Sequence, residues 1–373
     1  MRFSVERDVL ADAVAWAART LPARPPVPVL AGLLLDVDSD AVTVSGFDYE
    51  VSATVTTPAE VSERGKVLVS GRLLADITRS LPAQPVELVT DGSRVTLTCG
   101  SARFQLPTLP VEDYPTLPDL PATTGTIGSD IFAAAVASVA VAAGRDDTLP
   151  VLTGVRVEIE GDKLTLAATD RYRLAVREIG WQPSASGTSA VALVPARTLH
   201  DTARALTAAA QVTISLATGG AGEGMVGFSG GDRRTTTRLL DGEFPKYRAL
   251  LPTEHSAVAE VDTAALVEAV KRVALVAQRN TPITLAFSAG EVRLEAGAAD
   301  DARAAESVPA QLEGDDITIA FNPTFLLDGL GAIDSDTARL SFTASTKPAV
   351  ITGKPGESGD DYRYLIMPVR LAG

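Results

Sequence analysis

The chain has 373 residues, 46% hydrophobic and 21% charged, with a formal net charge of −14, a pI near 4.7 and a mean hydropathy of +0.16. Single hydrophobic cores stop growing at roughly 250 to 300 residues, so the length implies two or three domains, and the composition excludes a disordered chain. The acidic total excludes tight nonspecific DNA binding through bulk charge, so any nucleic-acid role must rest on basic residues segregated to one surface.

No run reaches the ~18 consecutive apolar residues of a spanning helix, and the charged start Met1-Arg2-Phe3-Ser4-Val5-Glu6-Arg7-Asp8 is unlike a signal peptide. A cytoplasmic protein with no membrane partner is expected. Cys99 is the single cysteine, which excludes an internal disulfide and reads as core filling.

In chain order, the first element is a helix with apolar residues at steps of four and three, Leu10, Val14, Ala17 and Leu21. Alternating stretches such as Ala41-Val42-Thr43-Val44 follow and read as half-buried antiparallel strands. Lys66-Val67-Leu68-Val69-Ser70 then runs into a second, shorter helix, and hairpins close the unit. The plan recurs. Residues 8–50 overlay residues 130–172 without a gap, placing Leu10 on Phe132, Val14 on Val136, Pro28 on Pro150, Leu30 on Leu152, Gly32 on Gly154 and Asp48 on Asp170. A fainter third copy places Phe132, Val136 and Val139 on Leu266, Val270 and Val273. The expected fold is α+β, with three similar domains at 1–121, 125–251 and 255–373, each holding two helices on antiparallel sheets. Short connectors lie near 120–126 and 251–258.

The second helices carry Arg72 and Arg79, and Arg197 and Arg204, each pair seven residues apart and therefore on one helical face at equivalent repeat positions. Lys271, Arg272 and Arg279 load the first helix of the third copy, while Arg19, Arg24 and Arg145 load the ends of its counterparts. Any one of these cations suits a solvated surface or a helix C-terminus. Their recurrence favours a shared basic face.

Other patterns lead nowhere. Gly222-Glu223-Gly224-Met225-Val226-Gly227 matches GxGxxG but runs into Phe228-Ser229-Gly230-Gly231-Asp232, a strand and turn where the dinucleotide motif needs a helix. Asp36, Asp38 and Asp40 imitate a calcium loop, yet Ala41 and Phe47 occupy the positions that need glycine and glutamate, leaving a solvated turn. The only histidines are His200 and His255, and no GxSxG or HExxH accompanies them. A carboxylate-based hydrolase and a repeat-built scaffold without DNA stay open as other readings.

Five segments in order carry a resemblance over essentially the whole chain: Met1-Arg2-Phe3-Ser4-Val5-Glu6-Arg7, Arg24-Pro25-Pro26-Val27-Pro28-Val29-Leu30, Ala168-Thr169-Asp170-Arg171-Tyr172-Arg173-Leu174-Ala175, Asp241-Gly242-Glu243-Phe244-Pro245-Lys246-Tyr247-Arg248, and Tyr364-Leu365-Ile366-Met367-Pro368-Val369-Arg370-Leu371. The chain resembles the bacterial beta sliding clamp family, the beta subunit of DNA polymerase III. The resemblance implies a head-to-tail homodimer, two chains forming a six-domain ring with helices inside and sheets outside. It implies an accessory subunit with no catalytic residue, cofactor or metal. The implied partners are duplex DNA, encircled without regard to sequence, a clamp loader, replicative polymerase and other proteins with a clamp-binding motif.

By the same resemblance Arg24, Arg72 and Arg197 match DNA-facing positions, which Arg79, Arg204, Lys271, Arg272 and Arg279 are expected to join. A pocket for partner peptides is implied at Leu152, Thr169, Arg171, Tyr172, Arg173, Leu174, Pro245, Leu250, Asn322, Phe325, Pro348, Leu365, Met367, Pro368, Val369 and Arg370. The alternating Leu365, Met367 and Val369 read equally well as a strand packing into a core. Leu275 and Val276 are candidates for the contact between chains. Two departures stand out: Pro150 and Val151 where some family members carry tyrosines, and Arg171 where glycine is common.

Overall fold

A computed structural model describes residues 1–216, 224–277, 281–297, 302–356 and 361–370. Its α-helices are α1 (Arg7–Ala17), α2 (Gly71–Ser80), α3 (Ser129–Ala140), α4 (Ala196–Ala205), α5 (Thr263–Val273) and α6 (Pro323–Leu330), two for each repeat. Leu10, Ala13, Val14 and Ala17 on α1, and Leu266, Ala269, Val270 and Val273 on α5, are buried because those spacings put them on one face.

The gap-free overlay holds element by element. Helices begin at 7 and 129, short 3-10 turns at 28 and 150, and strands at 32 and 154, 41 and 163, 51 and 173, each a step of 122. Two expectations change. Each repeat opens with a strand ahead of its first helix, Arg2–Val5, Thr123–Gly128 and Ala257–Asp262. Arg2–Val5 is too short to show a period, and the glycine-rich Thr123–Gly128 shows no clean alternation. The first helices also end early: α1 and α5 tighten into 3-10 turns at Ala18–Thr20 and Ala274–Val276, so Leu21 lies beyond the helix. Asp36 and Asp38 belong to strand Gly32–Asp38 and pair with Lys66 at 2.8 Å and Arg64 at 3.1 Å, while the turn is confined to Ser39 and Asp40.

Contacts divide the chain into two units, Met1–Ser129 with Ala205–Leu239, and Asp130–Arg204 with Leu240–Gly373. In the first, an antiparallel sheet runs through Thr123–Gly128, Gln211–Leu216, Met225–Gly230, Arg233–Arg238, Val51–Pro58, Ala41–Phe47, Gly32–Asp38, Gly65–Ser70, Ala102–Leu109, Arg94–Cys99, Val86–Asp91, Arg2–Val5 and Glu60–Glu63. α1 and α2 pack together beside it. Leu10, Val14, Leu33, Leu35, Val42, Val44, Leu68 and Leu74 form its core at 0–1% exposure. Cys99 is fully buried in the core, its Sγ donating to the carbonyls of Pro82 and Gln84 at 3.3 and 3.4 Å.

In the second unit a 12-stranded antiparallel sheet runs through Ser189–Pro195, Gly154–Glu160, Lys163–Thr169, Arg173–Gly180, Asp361–Ile366, Ala349–Gly353, Thr337–Phe342, Ala257–Asp262, Ala304–Gly314, Gly290–Ala296, Ile283–Ser288 and Ile317–Phe321. Its register joins the second and third repeats: Arg173 faces Ile366 and Leu174 faces Leu365. The same junction appears in the first unit, where Val51–Pro58 pairs with Arg233–Arg238.

Candidate peptide pocket, strand edges and basic helix faces

The junction strands Arg173–Gly180 and Asp361–Ile366 bring Leu174 and Leu365 into a buried cluster with Ala167, Val176, Leu193, Phe244 and Tyr247, flanked by Val151, Leu240 and Leu251. The segment after Phe244 closes the cluster: Pro245 is half-buried, the Tyr247 amide donates to its carbonyl at 2.7 Å, and Leu250 projects outward at 51% exposure. A buried carboxylate fastens this segment. Glu158, 3% exposed, accepts from the Tyr247 hydroxyl at 3.0 Å and from Arg156 and Arg248. Burial pushes its pKa up, but the Arg156 and Tyr247 hydrogen bonds and the two guanidinium charges outweigh it and hold the carboxyl below its ordinary range.

Beside the cluster lies a cavity of about 510 Å³ lined by Leu149, Leu152, Arg171, Tyr172, Arg173 and Phe325, among others. Its wall is a turn. Asp170 Oδ1 accepts from the Tyr172 and Arg173 amides at 3.0 and 3.1 Å, and the Thr169 hydroxyl donates to the Arg173 carbonyl at 2.6 Å. The geometry forces φ of +78° on Arg171, which explains why glycine suits this position and sends the arginine side chain to the surface. Tyr172 is 59% exposed, and its carbonyl accepts from the Met367 amide at 2.9 Å, which fixes the exposed ending beside the turn.

Arg173 forms the floor. Its guanidinium donates to Asp170 at 3.0 Å, Asp328 at 2.5 Å and the Tyr364 hydroxyl at 3.4 Å, and lies 4.2 Å from the Phe325 ring centroid. The Tyr364 hydroxyl in turn donates to the Phe325 carbonyl at 2.8 Å. Gly329 on α6 permits this, because a Cβ there would stand 2.4 Å from the Tyr364 ring. Asn322 Oδ1 accepts from the Thr324 and Phe325 amides at 2.9 and 3.3 Å, so it caps α6 and aims Phe325. Val369 is anchored by its amide to the Ala320 carbonyl at 2.8 Å. Pro348 and Pro368 are half-buried, and Met367, Val369 and Arg370 are exposed.

Of the basic residues expected to face DNA, those described are all exposed and differ in how closely a carboxylate approaches them. Arg24, Arg72, Arg79, Arg197 and Arg204 are all exposed. Arg72 donates to the Pro22 carbonyl at 3.1 Å, Arg79 lies 3.8 Å from Asp76, and Arg197, 95% exposed, only approaches Asp201 at 4.0 Å. Lys271 and Arg272 are committed to carboxylates, Lys271 to Glu268 at 2.8 Å and Arg272 in a two-pronged contact with Glu306 at 2.9 and 2.5 Å. Arg279 lies outside the described residues.

Two strand edges went unread in the sequence. Ala102–Pro107 pairs with Arg94–Cys99 on one side, and among the described residues its neighbour on the other side reaches only Thr108 and Leu109. Ala304–Pro309 pairs with Gly290–Ala296, and among the described residues its other neighbour begins at Ala310. Half-buried Phe104 sits on the first edge; Glu306 on the second is held by Arg272, one turn before Leu275, which is 84% exposed. Among the described residues no group of three His, Cys, Asp or Glu side chains could hold a metal ion, and no helix is long and apolar enough to cross a membrane.

Residues 1–118 match the N-terminal domain of the DNA polymerase III beta subunit, residues 126–246 its central domain and residues 248–370 its C-terminal domain. The chain belongs to the DNA polymerase III beta subunit family. Within that family it is 65% identical over 376 residues to a Streptomyces coelicolor protein named beta sliding clamp, covering all of both chains. Two solved sliding clamps share the fold over all of both chains with a TM-score of 0.92, one from Bacillus subtilis at 25% identity and one from Pseudomonas aeruginosa, bound to griselimycin, at 28%.

Proposed function

We propose that the chain is a DNA polymerase processivity factor: a homodimeric sliding clamp that encircles duplex DNA and tethers replicative polymerase and other proteins through the pocket around Arg173. Three beta-subunit domains in order along one chain carry this reading. The domain limits proposed are 1–121, 125–251 and 255–373, and the compartment proposed is the cytoplasm.

The mechanism needs no chemistry on the DNA. A ring holds its partner by topology, so its attraction to phosphate must be weak enough to let it slide. A net charge of −14 with exposed arginines at equivalent positions on α2 and α4 suits that balance, because each cation adds a small, salt-screened attraction. Arg24, Arg72, Arg79, Arg197 and Arg204 are the cations proposed to face DNA. Lys271 and Arg272 would contribute less, since their charge is spent on Glu268 and Glu306. Ring closure is assigned to the open edges: Ala102–Pro107 of one protomer adding to Ala304–Pro309 of its partner gives each strand its missing neighbour, with Leu275, Val276 and Phe104 covered in the process.

A partner peptide would lay apolar anchors over Leu152, Tyr172, Leu250 and Met367, with the buried Leu174 and Leu365 supporting that surface from beneath, and bond its backbone to the polar rim. Removing Met367 to Gly373 tests this. The shortened chain should stay folded and dimeric but no longer stimulate polymerase; full stimulation by a folded variant would remove the pocket assignment.

A further inference from the structure

The 510 Å³ cavity carries charge as well as apolar surface, and the charges are unequally committed. Asp170 and Asp328 are consumed by Arg173. Asp146 accepts from the Thr148 amide at 3.0 Å and from its hydroxyl at 2.6 Å. Those two hydrogen bonds, with the nearby positive charge of Arg171, hold the Asp146 carboxyl below its ordinary range. Arg145 and Arg171 also line the cavity, both exposed, and among the described residues neither has an ion-pair partner. Arg171, on a left-handed backbone with φ of +78°, lines the cavity with Leu149 at 36% exposure and Tyr172 at 59%. The lining therefore offers apolar anchorage edged by two exposed guanidinium groups, of which Arg171 acts on Asp146 through charge alone, without an ion-pair contact.

Accepting the peptide-pocket reading above, we propose that Arg145 and Arg171 are specificity-determining residues that make this pocket prefer partner peptides with an acidic side chain next to their apolar anchors. A carboxylate there would meet planar, permanently charged donors in a partly desolvated mouth, where a charge-assisted hydrogen bond is stronger than a neutral one. A basic side chain would meet repulsion from the same pair, so the rim selects against one class of peptide as well as for another.

The test uses the full chain and a fluorescein-labelled apolar peptide scanned with Asp, Asn or Lys at each position in turn, read by fluorescence polarisation. At one position or more, Asp should bind about three- to fivefold more tightly than Asn, and Lys more weakly than Asn, a spread typical of an exposed to half-exposed ion pair. In Arg171→Gln, and more fully in Arg145→Gln/Arg171→Gln, both the Asp-to-Asn and the Lys-to-Asn affinity ratios should move toward one, whatever happens to overall affinity. Adding 0.5 M salt should flatten the unsubstituted chain in the same way. A ratio that survives both substitutions overturns the assignment of these arginines while leaving the pocket intact. Failure of every peptide to bind any variant would instead overturn the pocket reading on which it rests.

Discussion

Tyr49 and Arg171 stand at the same place in two copies of the repeat and share a left-handed backbone, with φ of +76° and +78°. In both copies the preceding aspartate caps the turn, Asp48 Oδ1 accepting from Glu50 and Val51 at 3.0 and 2.6 Å as Asp170 does from Tyr172 and Arg173. Duplication has kept a backbone turn whose shape glycine would adopt freely.

A left-handed residue other than glycine costs roughly 1–2 kcal/mol, while glycine adds roughly 0.5–1 kcal/mol of unfolded-state entropy. Arg171→Gly should therefore leave stability unchanged or raise it by up to about 1 kcal/mol, whereas β-branched Arg171→Val should lower it by about 2 kcal/mol. Urea midpoints of the two variants decide the matter. If valine were tolerated as well as glycine, the turn would not be the constraint described.

Asp170 serves two masters, the turn amides and the Arg173 guanidinium. Asp170→Ala should cost about 2–4 kcal/mol, since it leaves Arg173, 5% exposed, with one carboxylate fewer. Asp170→Asn keeps the amide acceptor and should cost less. Peptide affinity should fall with stability in that order, because Tyr172 and Arg173 lose their fixed positions; isothermal calorimetry on both variants gives the comparison.

Glu158 links the pocket wall to pH. Its carboxyl is held below its ordinary range in the folded chain, so its stabilising contribution is complete above the unfolded value of about 4.5 and is lost as pH falls through the folded value. Glu158→Gln should lower the melting temperature at pH 7 and flatten the acid limb of the stability curve. An unchanged acid limb would show that another carboxylate governs it.

The helices and the repeat were legible because four-and-three spacing and a gap-free overlay are local signals, whereas spacing gave no pocket, whose residues came from the family resemblance alone. The opening strands were not, since Arg2–Val5 and Thr123–Gly128 lack a readable period. Asn322, placed in the pocket by resemblance, also caps α6, a role set by its place before Pro323. Arg272 looked free on its helix until the distant Glu306 was brought beside it by the sheet. The open edges at Ala102–Pro107 and Ala304–Pro309 were invisible, because an unpaired edge depends on which strands fail to arrive.

The direct test of encirclement is retention on DNA of differing topology. The purified chain, loaded by an ATP-driven clamp loader onto nicked circular duplex and passed through a sizing column, should stay with the circle as a dimer and be lost when a restriction enzyme linearises it. Equal retention on circular and linear DNA would contradict the ring.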